Sequence, residues 1–142
     1  METADKITTR LEKLREFVEI LEGLKGVTEE ELQKDIDKSA KAERYLQLAI
    51  EVCIDISEML IAEEKLPAPQ TARQVIERLG EAGILEPQFA KEFAKSAGMR
   101  NILIHDYTKI DYKQVADKIN NRLGDFNTFA KAVAKHLNTR IK

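Results

Sequence analysis

The sequence predicts an all-α protein, an up-and-down four-helix bundle with an extra short helix. Three observations point there. Leu, Ile, Ala, Glu and Lys dominate a chain that is 43% apolar and 34% charged and has no Trp, a composition that favours helices over sheets. Apolar residues recur at steps of three and four through most of the chain, the spacing of one helical face. No internal repeat and no useful length of alternating, strand-like pattern interrupts them. At 142 residues the chain has the size of one domain, residues 1–142, able to bury a core of its own.

Each element has its own signal. Ile7, Leu11, Leu14, Val18 and Leu21 share a face over about Thr3 to Leu24, with Gly26 as a stop just beyond. Thr28 and Glu31 form a T-x-x-E capping box. The helix it opens is expected to reach about Lys65, with a bend near Ser39. From Tyr45 to Ile61 this helix is apolar nearly all round, so it is the central one. The exception is a stripe of Gln47, Glu51, Asp55 and Glu58. That stripe is either a solvated edge or one wall of a cleft, and a solvated edge is the ordinary fate of exposed charge. Pro67 and Pro69 break the helix and bias the residues before them toward extended geometry, which makes a loop within the domain. Thr71 and Gln74 repeat the capping pattern for a short helix ending near Gly83. Pro87 fits the first turn of the next helix, whose buried side is Phe89, Phe93, Ala97 and Leu103 or Ile104. A last helix starts at Asp111 and carries Val115, Ile119, Leu123, Phe126, Val133 and Leu137 on its apolar stripe.

Composition excludes several functions. A net charge of −2 gives no global electrostatic case for nucleic-acid binding, so any such contact needs a local basic site. Cys53 is the single cysteine; it permits no intrachain disulfide or cysteine-rich zinc site, and its apolar neighbours mark it as a buried, inert thiol. The N-terminal METADKITTR lacks the apolar core of a signal peptide. No apolar run approaches the roughly 20 residues that cross a bilayer. A soluble, cytoplasmic protein is expected. Glu51, Asp55 and Glu58 could face a hard cation, but no Glu-x-x-His pair accompanies them as a bundle di-metal site would require. Neither a metal nor another cofactor is expected.

Most charges read as solvated helix faces; residues 99–108 differ. Arg100, Asn101, His105 and Tyr107 crowd the end of one helix in a chain with two histidines. Asn101 and His105, four apart, stack on one face. Arg100 lies roughly 140° from His105 around the helix at the α-helical turn, and its long side chain is expected to swing toward the same end. Tyr107 falls at or past the helix end, where its ring could fold back over the site. Ile102, Leu103 and Ile104 are expected to pin this turn into the core. The residue types suit metal-free RNA cleavage by the substrate's own 2′-OH. His105 can move protons near neutrality, and Arg100 offers a permanently charged planar fork for the phosphoryl oxygens. Asn101 can orient the imidazole or bind a phosphate oxygen. Against this stands the plainer reading of an Arg and a His that merely cap a helix. His136, beside Lys135 and Arg140, reads as a surface residue favoured by the C-terminal end of its helix.

The pattern Arg100-Asn101-x-x-x-His105-x-Tyr107 resembles the R-x4-H-x-Y signature of HepT-type proteins of the HEPN superfamily. The segment Glu43-Arg44-Tyr45-Leu46-Gln47-Leu48-Ala49-Ile50-Glu51 and the order of helices resemble that family as well. The resemblance implies a HEPN-like bundle and a metal-independent endoribonuclease toxin of a prokaryotic toxin–antitoxin pair. It further implies a homodimer whose two motifs build one composite active site. By position, Arg100 would stabilise the transition state, His105 would be the general acid/base and Asn101 would position substrate or imidazole. Lys95 and Lys109 would add substrate-binding charge. Tyr107 would be adenylylated by a minimal nucleotidyltransferase antitoxin, MntA-like, putting bulk and negative charge at the mouth of the cleft. Asp106 departs from the small residue common at that position and sets an acid beside the phosphate site. Two alternatives remain open at this level. One is a non-catalytic, nucleotide-binding or regulatory accessory subunit of a minimal nucleotidyltransferase; the other is a purely structural helical dimer. RNA cleavage without metal separates the toxin from both.

Overall fold

Helices begin where the capping residues stand. In the computed structural model, which describes residues 2–141 and the side chains of 2–139, α1 runs Glu2–Glu22 and buries Ile7, Leu14, Val18 and Leu21. Thr28 Oγ1 accepts from the Glu31 N–H at 3.1 Å, and Glu31 Oε1 accepts from the Thr28 N–H at 3.2 Å. This reciprocal box opens α2 (Glu29–Lys34). The expected bend near Ser39 is instead a break at Asp35, which is extended and whose carboxylate accepts from the Lys38 N–H at 3.1 Å. A short acidic side chain that bonds its own downstream backbone starts a new helix rather than continuing the old one. The new helix, α3 (Ile36–Glu63), is the centre of the molecule.

α3 buries Leu46, Ala49, Ile50, Cys53, Ile54, Ile56, Leu60 and Ile61 against α1, α4 (Ala72–Glu81), α6 (Ser96–His105) and α8 (Gly124–Ile141). Cys53 is fully buried and burial pushes its thiol pKa upward, so it is inert, as expected. Thr71 caps α4, accepting from the Gln74 N–H at 3.1 Å. Between α4 and α6 lies α5 (Pro87–Phe93), with Pro87 in its first turn. α4 and α5 cross at Gly80, where a Cβ would come within 2.6 Å of the Ala90 Cβ; only hydrogen fits there.

Two helices expected to be continuous are divided. The Pro87 helix tightens at Ala94 and Lys95 into i→i+3 bonds, Ala97 N–H to Ala94 O and Gly98 N–H to Lys95 O, both 3.1 Å. That turn lets α5 pack on α4 while α6 packs on α3. Phe93 fills the corner, 5.7 and 5.6 Å between ring centres from Phe126 and Phe129. The last helix likewise divides at Arg122 and Leu123 into α7 (Tyr112–Asn121) and α8. The apolar stripe stays in phase across both breaks, which is why periodicity alone reads single helices. Four or five expected helices thus become eight α-helices and one 3-10 turn among the described residues, still an all-α bundle.

Tertiary tethers are few and specific. Asn120 accepts from the Gly26 N–H at 2.6 Å and donates to Val27 O at 2.8 Å, tying α7 to the turn after α1. Lys118 is buried between the Phe93 and Phe126 rings, and its Nζ donates to Ser96 Oγ at 2.8 Å. Burial lowers the Lys118 ammonium pKa. His136, expected at the surface, is half-buried with Nε2 3.4 Å from Glu64 Oε2, because α8 folds back onto the end of α3. No described helix is long and apolar enough to cross a membrane.

Candidate functional site

The motif helix α6 is fixed at its start and free at its end. Ser96 and Ala97 are its buried residues, and the Lys118–Ser96 hydrogen bond holds its first turn against α7. Its last turns carry Asn101 and His105, both exposed on neighbouring positions of one face. Asp106, at φ −145° and ψ 62°, ends the helix, and a 3-10 turn covers Tyr107–Lys109.

Several expectations are corrected here. Ile102 and Ile104 do not enter the core: they are 40% and 37% exposed, and Leu103 is half-buried. A helix packed along one side can bury few positions per turn: here Ala97 is buried, Leu103 is half-buried and Arg100 faces α3. Tyr107 does not fold back, because the 3-10 turn carries its ring outward to 81% exposure. Arg100 does not swing toward His105 either. It turns onto α3, where Nη1 donates to Glu51 Oε1 at 2.8 Å, with the two side chains 18% and 33% exposed. Arg100 Nε is buried without a hydrogen-bond partner.

The α3 stripe is one wall of a cleft rather than a plain solvated edge. A cleft of about 750 Å³ runs from Arg100 past Glu51, Asp55 and Glu58 to Lys65 and Gln70 of the proline loop. The cleft desolvates the Asp55 carboxyl and raises its pKa; Arg10 opposes the shift, Glu51 reinforces it and Arg100 opposes it. The motif cation therefore sits at the end of an acidic wall. Glu51 is the participant that sequence reasoning missed as a site residue. Its membership of the Gln47-Glu51-Asp55-Glu58 stripe, on an otherwise apolar helix, was the available signal.

The two lysines behave differently. Lys109 stands in the 3-10 turn, its Nζ 3.4 Å from Asp106 Oδ2. Asp106 also accepts from Thr108 Oγ1 at 3.1 Å, so this acid is occupied within its own turn. Lys95 precedes the other end of α6, about 15 Å from His105 at the α-helical rise, and pairs with Glu92 at 3.1 Å. Asn101, His105, Tyr107 and Lys109 thus gather at one end of α6. Arg100 lies beside them on the α3 side, and Lys95 does not join them. Chemically, this end offers a titratable imidazole, an amide, an exposed phenol and a guanidinium held by a carboxylate.

Comparison with known proteins points one way. The family described as Ribonuclease HepT-like matches residues 7–133. The tRNA nuclease HepT of Aphanizomenon flos-aquae is 29% identical over 133 residues, covering 94% of this chain and 90% of that protein. The mRNA nuclease HepT of Shewanella oneidensis is 30% identical over 84 residues, 59% of this chain and 63% of that one. Among solved structures, a tri-AMPylated Shewanella oneidensis HEPN toxin in complex with MNT antitoxin superposes with a TM-score of 0.82 at 22% identity, covering 91% of this chain and 96% of the toxin.

Proposed function

Because the chain belongs to the HepT-like ribonuclease family, we propose that it is a metal-independent endoribonuclease, the toxin of a prokaryotic toxin–antitoxin pair acting in the cytoplasm. The observation that carries this reading is the exposed Asn101–His105 face at the end of α6, flanked by a guanidinium fixed on the α3 side.

The substrate 2′-OH attacks the adjacent phosphorus while one imidazole takes its proton. A second imidazole protonates the departing 5′ oxygen, leaving a 2′,3′-cyclic phosphate and a 5′-OH. One His105 cannot do both at once, so the site is composite, built from two copies across a two-fold axis. Ile102 and Ile104 support this: apolar side chains 40% and 37% exposed beside the motif are the surface a second copy would cover. Arg100 neutralises charge growing on the phosphoryl oxygens, and Asn101 positions the phosphate or the imidazole. Lys109 adds positive potential at the mouth, and Lys95 meets the RNA backbone further along the strand.

Tyr107 is the adenylylation site for a minimal nucleotidyltransferase antitoxin. Its 81% exposure leaves the phenol open to a second enzyme, and the related toxin solved with an MNT antitoxin is AMPylated. AMP there would place negative charge where RNA must enter.

The test is cleavage of RNA by purified protein in excess EDTA, beside His105→Ala. Products ending in 2′,3′-cyclic phosphate, absent with the variant, are the expected result. A folded, unmodified dimer that leaves RNA intact would overturn the reading in favour of an accessory subunit.

A further inference from the structure

The Arg100–Glu51 pair joins two residues that are 49 apart in sequence, and the other oxygen of Glu51 accepts from Gln47 Nε2 at 3.4 Å. The His136–Glu64 pair, at 21% and 26% exposure, is as buried, and three features of the Arg100–Glu51 pair bear on what its guanidinium can do. Its side chains are 18% and 33% exposed, whereas the helix-face pairs of α1, Lys6–Glu2, Lys13–Glu16 and Arg15–Glu19, have both partners more than half exposed. Glu51 engages Nη1 alone. The remaining guanidinium nitrogen on the same carbon is not tied to this carboxylate, and the buried Nε is shut away from solvent.

A long arginine free at a helix surface samples many rotamers, and ordering it at the moment of reaction costs entropy. Glu51 prepays that ordering from α3, the most deeply packed helix of the molecule. We propose that Glu51 is a positioning residue for the cleavage reaction: it fixes the plane of the Arg100 guanidinium so that Nη2, neither held by Glu51 nor shut away like Nε, meets a phosphoryl oxygen. This rests on the ribonuclease reading above, with Arg100 as the cation of the site. Glu51 touches no reacting atom and acts only through Arg100. Its charge is also repulsive to RNA, so removing it does not weaken substrate capture.

The experiment measures kcat and KM of RNA cleavage in EDTA for wild type, Glu51→Gln, Glu51→Ala, Arg100→Ala and the Arg100→Ala/Glu51→Ala double variant. Melting curves confirm that each is folded. Glu51→Gln keeps an acceptor oxygen at the same reach and is expected to lose about tenfold in kcat; Glu51→Ala is expected to lose about a hundredfold, the scale of a misplaced catalytic group. In both, KM stays level or falls. In the Arg100→Ala background, Glu51→Ala costs nothing further, the signature of two residues acting as a unit.

Three results would overturn the proposal. In the first, folded Glu51→Ala cleaves at or above the wild-type rate, which would make the pair a restraint on Arg100. In the second, the Glu51→Ala loss is equally large with and without Arg100, which would give Glu51 a role of its own. In the third, the loss lies in KM alone. Arg100→Ala at full activity would instead sink the assignment of Arg100 itself, an outcome separable from a dead Arg100→Ala beside a fully active Glu51→Ala.

Discussion

α3 and α6 pack against each other yet are built on opposite rules. α3 buries a residue on nearly every side and contributes nine apolar side chains, Ala42 among them, to the core. Among the ten residues of α6, only Ser96 and Ala97 are buried, and two isoleucines are left partly in solvent. The same apolar composition thus serves stability in one helix and surface chemistry in the other. The difference teaches where to look for function: at the helix that spends apolar residues on water while its neighbour hides them.

Substitutions can dissociate the two. His105→Ala should lower the cleavage rate by about 10²- to 10⁴-fold, the usual worth of a general acid/base, with a melting temperature within about 2 °C of wild type, since surface changes cost little. Leu60→Ala on α3 should do the reverse. Loss of that fully buried side chain should cost about 2–5 kcal/mol, while the fraction still folded keeps its wild-type kcat. Thermal melts and single-turnover cleavage on both variants check the pair. If Leu60→Ala lost rate in its folded fraction, the separation would fail.

A smaller effect sharpens the boundary between chemistry and assembly. If the proposed composite site holds, Ile102→Asp with Ile104→Asp leaves the circular dichroism spectrum intact, yields monomers by light scattering and abolishes cleavage, because each site would lack its second imidazole. Gly80→Ala should destabilise by about 1–3 kcal/mol, the range for overpacking, although Ala is the better helix former. The reason is its clash with Ala90, and chemical denaturation measures it.

The smallest effect concerns the tether between α7 and α6. Burial lowers the Lys118 pKa from 10.5, so the native state holds this proton less tightly than the unfolded chain does. Below the native value both states are protonated and the cost of burying the charge is felt in full. As pH rises from there toward 10.5, the native state alone is neutral and stability from this group increases. Melting temperatures of wild type minus Lys118→Met should therefore climb across that window. A flat difference would show Lys118 unperturbed.

Local signals were the legible ones. Thr28, Thr71 and Asp111 open helices because each side chain accepts from a backbone N–H two or three residues on. Pro87 fits a first turn that Glu86 caps, and such bonds are written in adjacent sequence. The breaks at Ala94–Lys95 and Arg122–Leu123 were hidden because the apolar phase survives a tightened turn. At the site, the identity of the motif was plain but its disposition was not. The partner of Arg100 lies 49 residues away, and the outward path of Tyr107 depends on the backbone angles of Asp106. Ile102 and Ile104 read as core because an apolar residue looks the same in sequence whether it meets the interior or the surface.

The outward carriage of Tyr107 has a kinetic consequence. A phenol that stands 81% in solvent on a one-turn spur needs no opening event before another protein can reach it. Under the proposed adenylylation, its rate of modification would be set by encounter and chemistry and not by the folding equilibrium, whereas a buried hydroxyl would be reached only in the rare open population. A destabilised variant such as Leu60→Ala would be modified as fast per folded molecule as wild type. Control exerted through this oxygen would hold steady across temperatures that halve the protein's margin of stability.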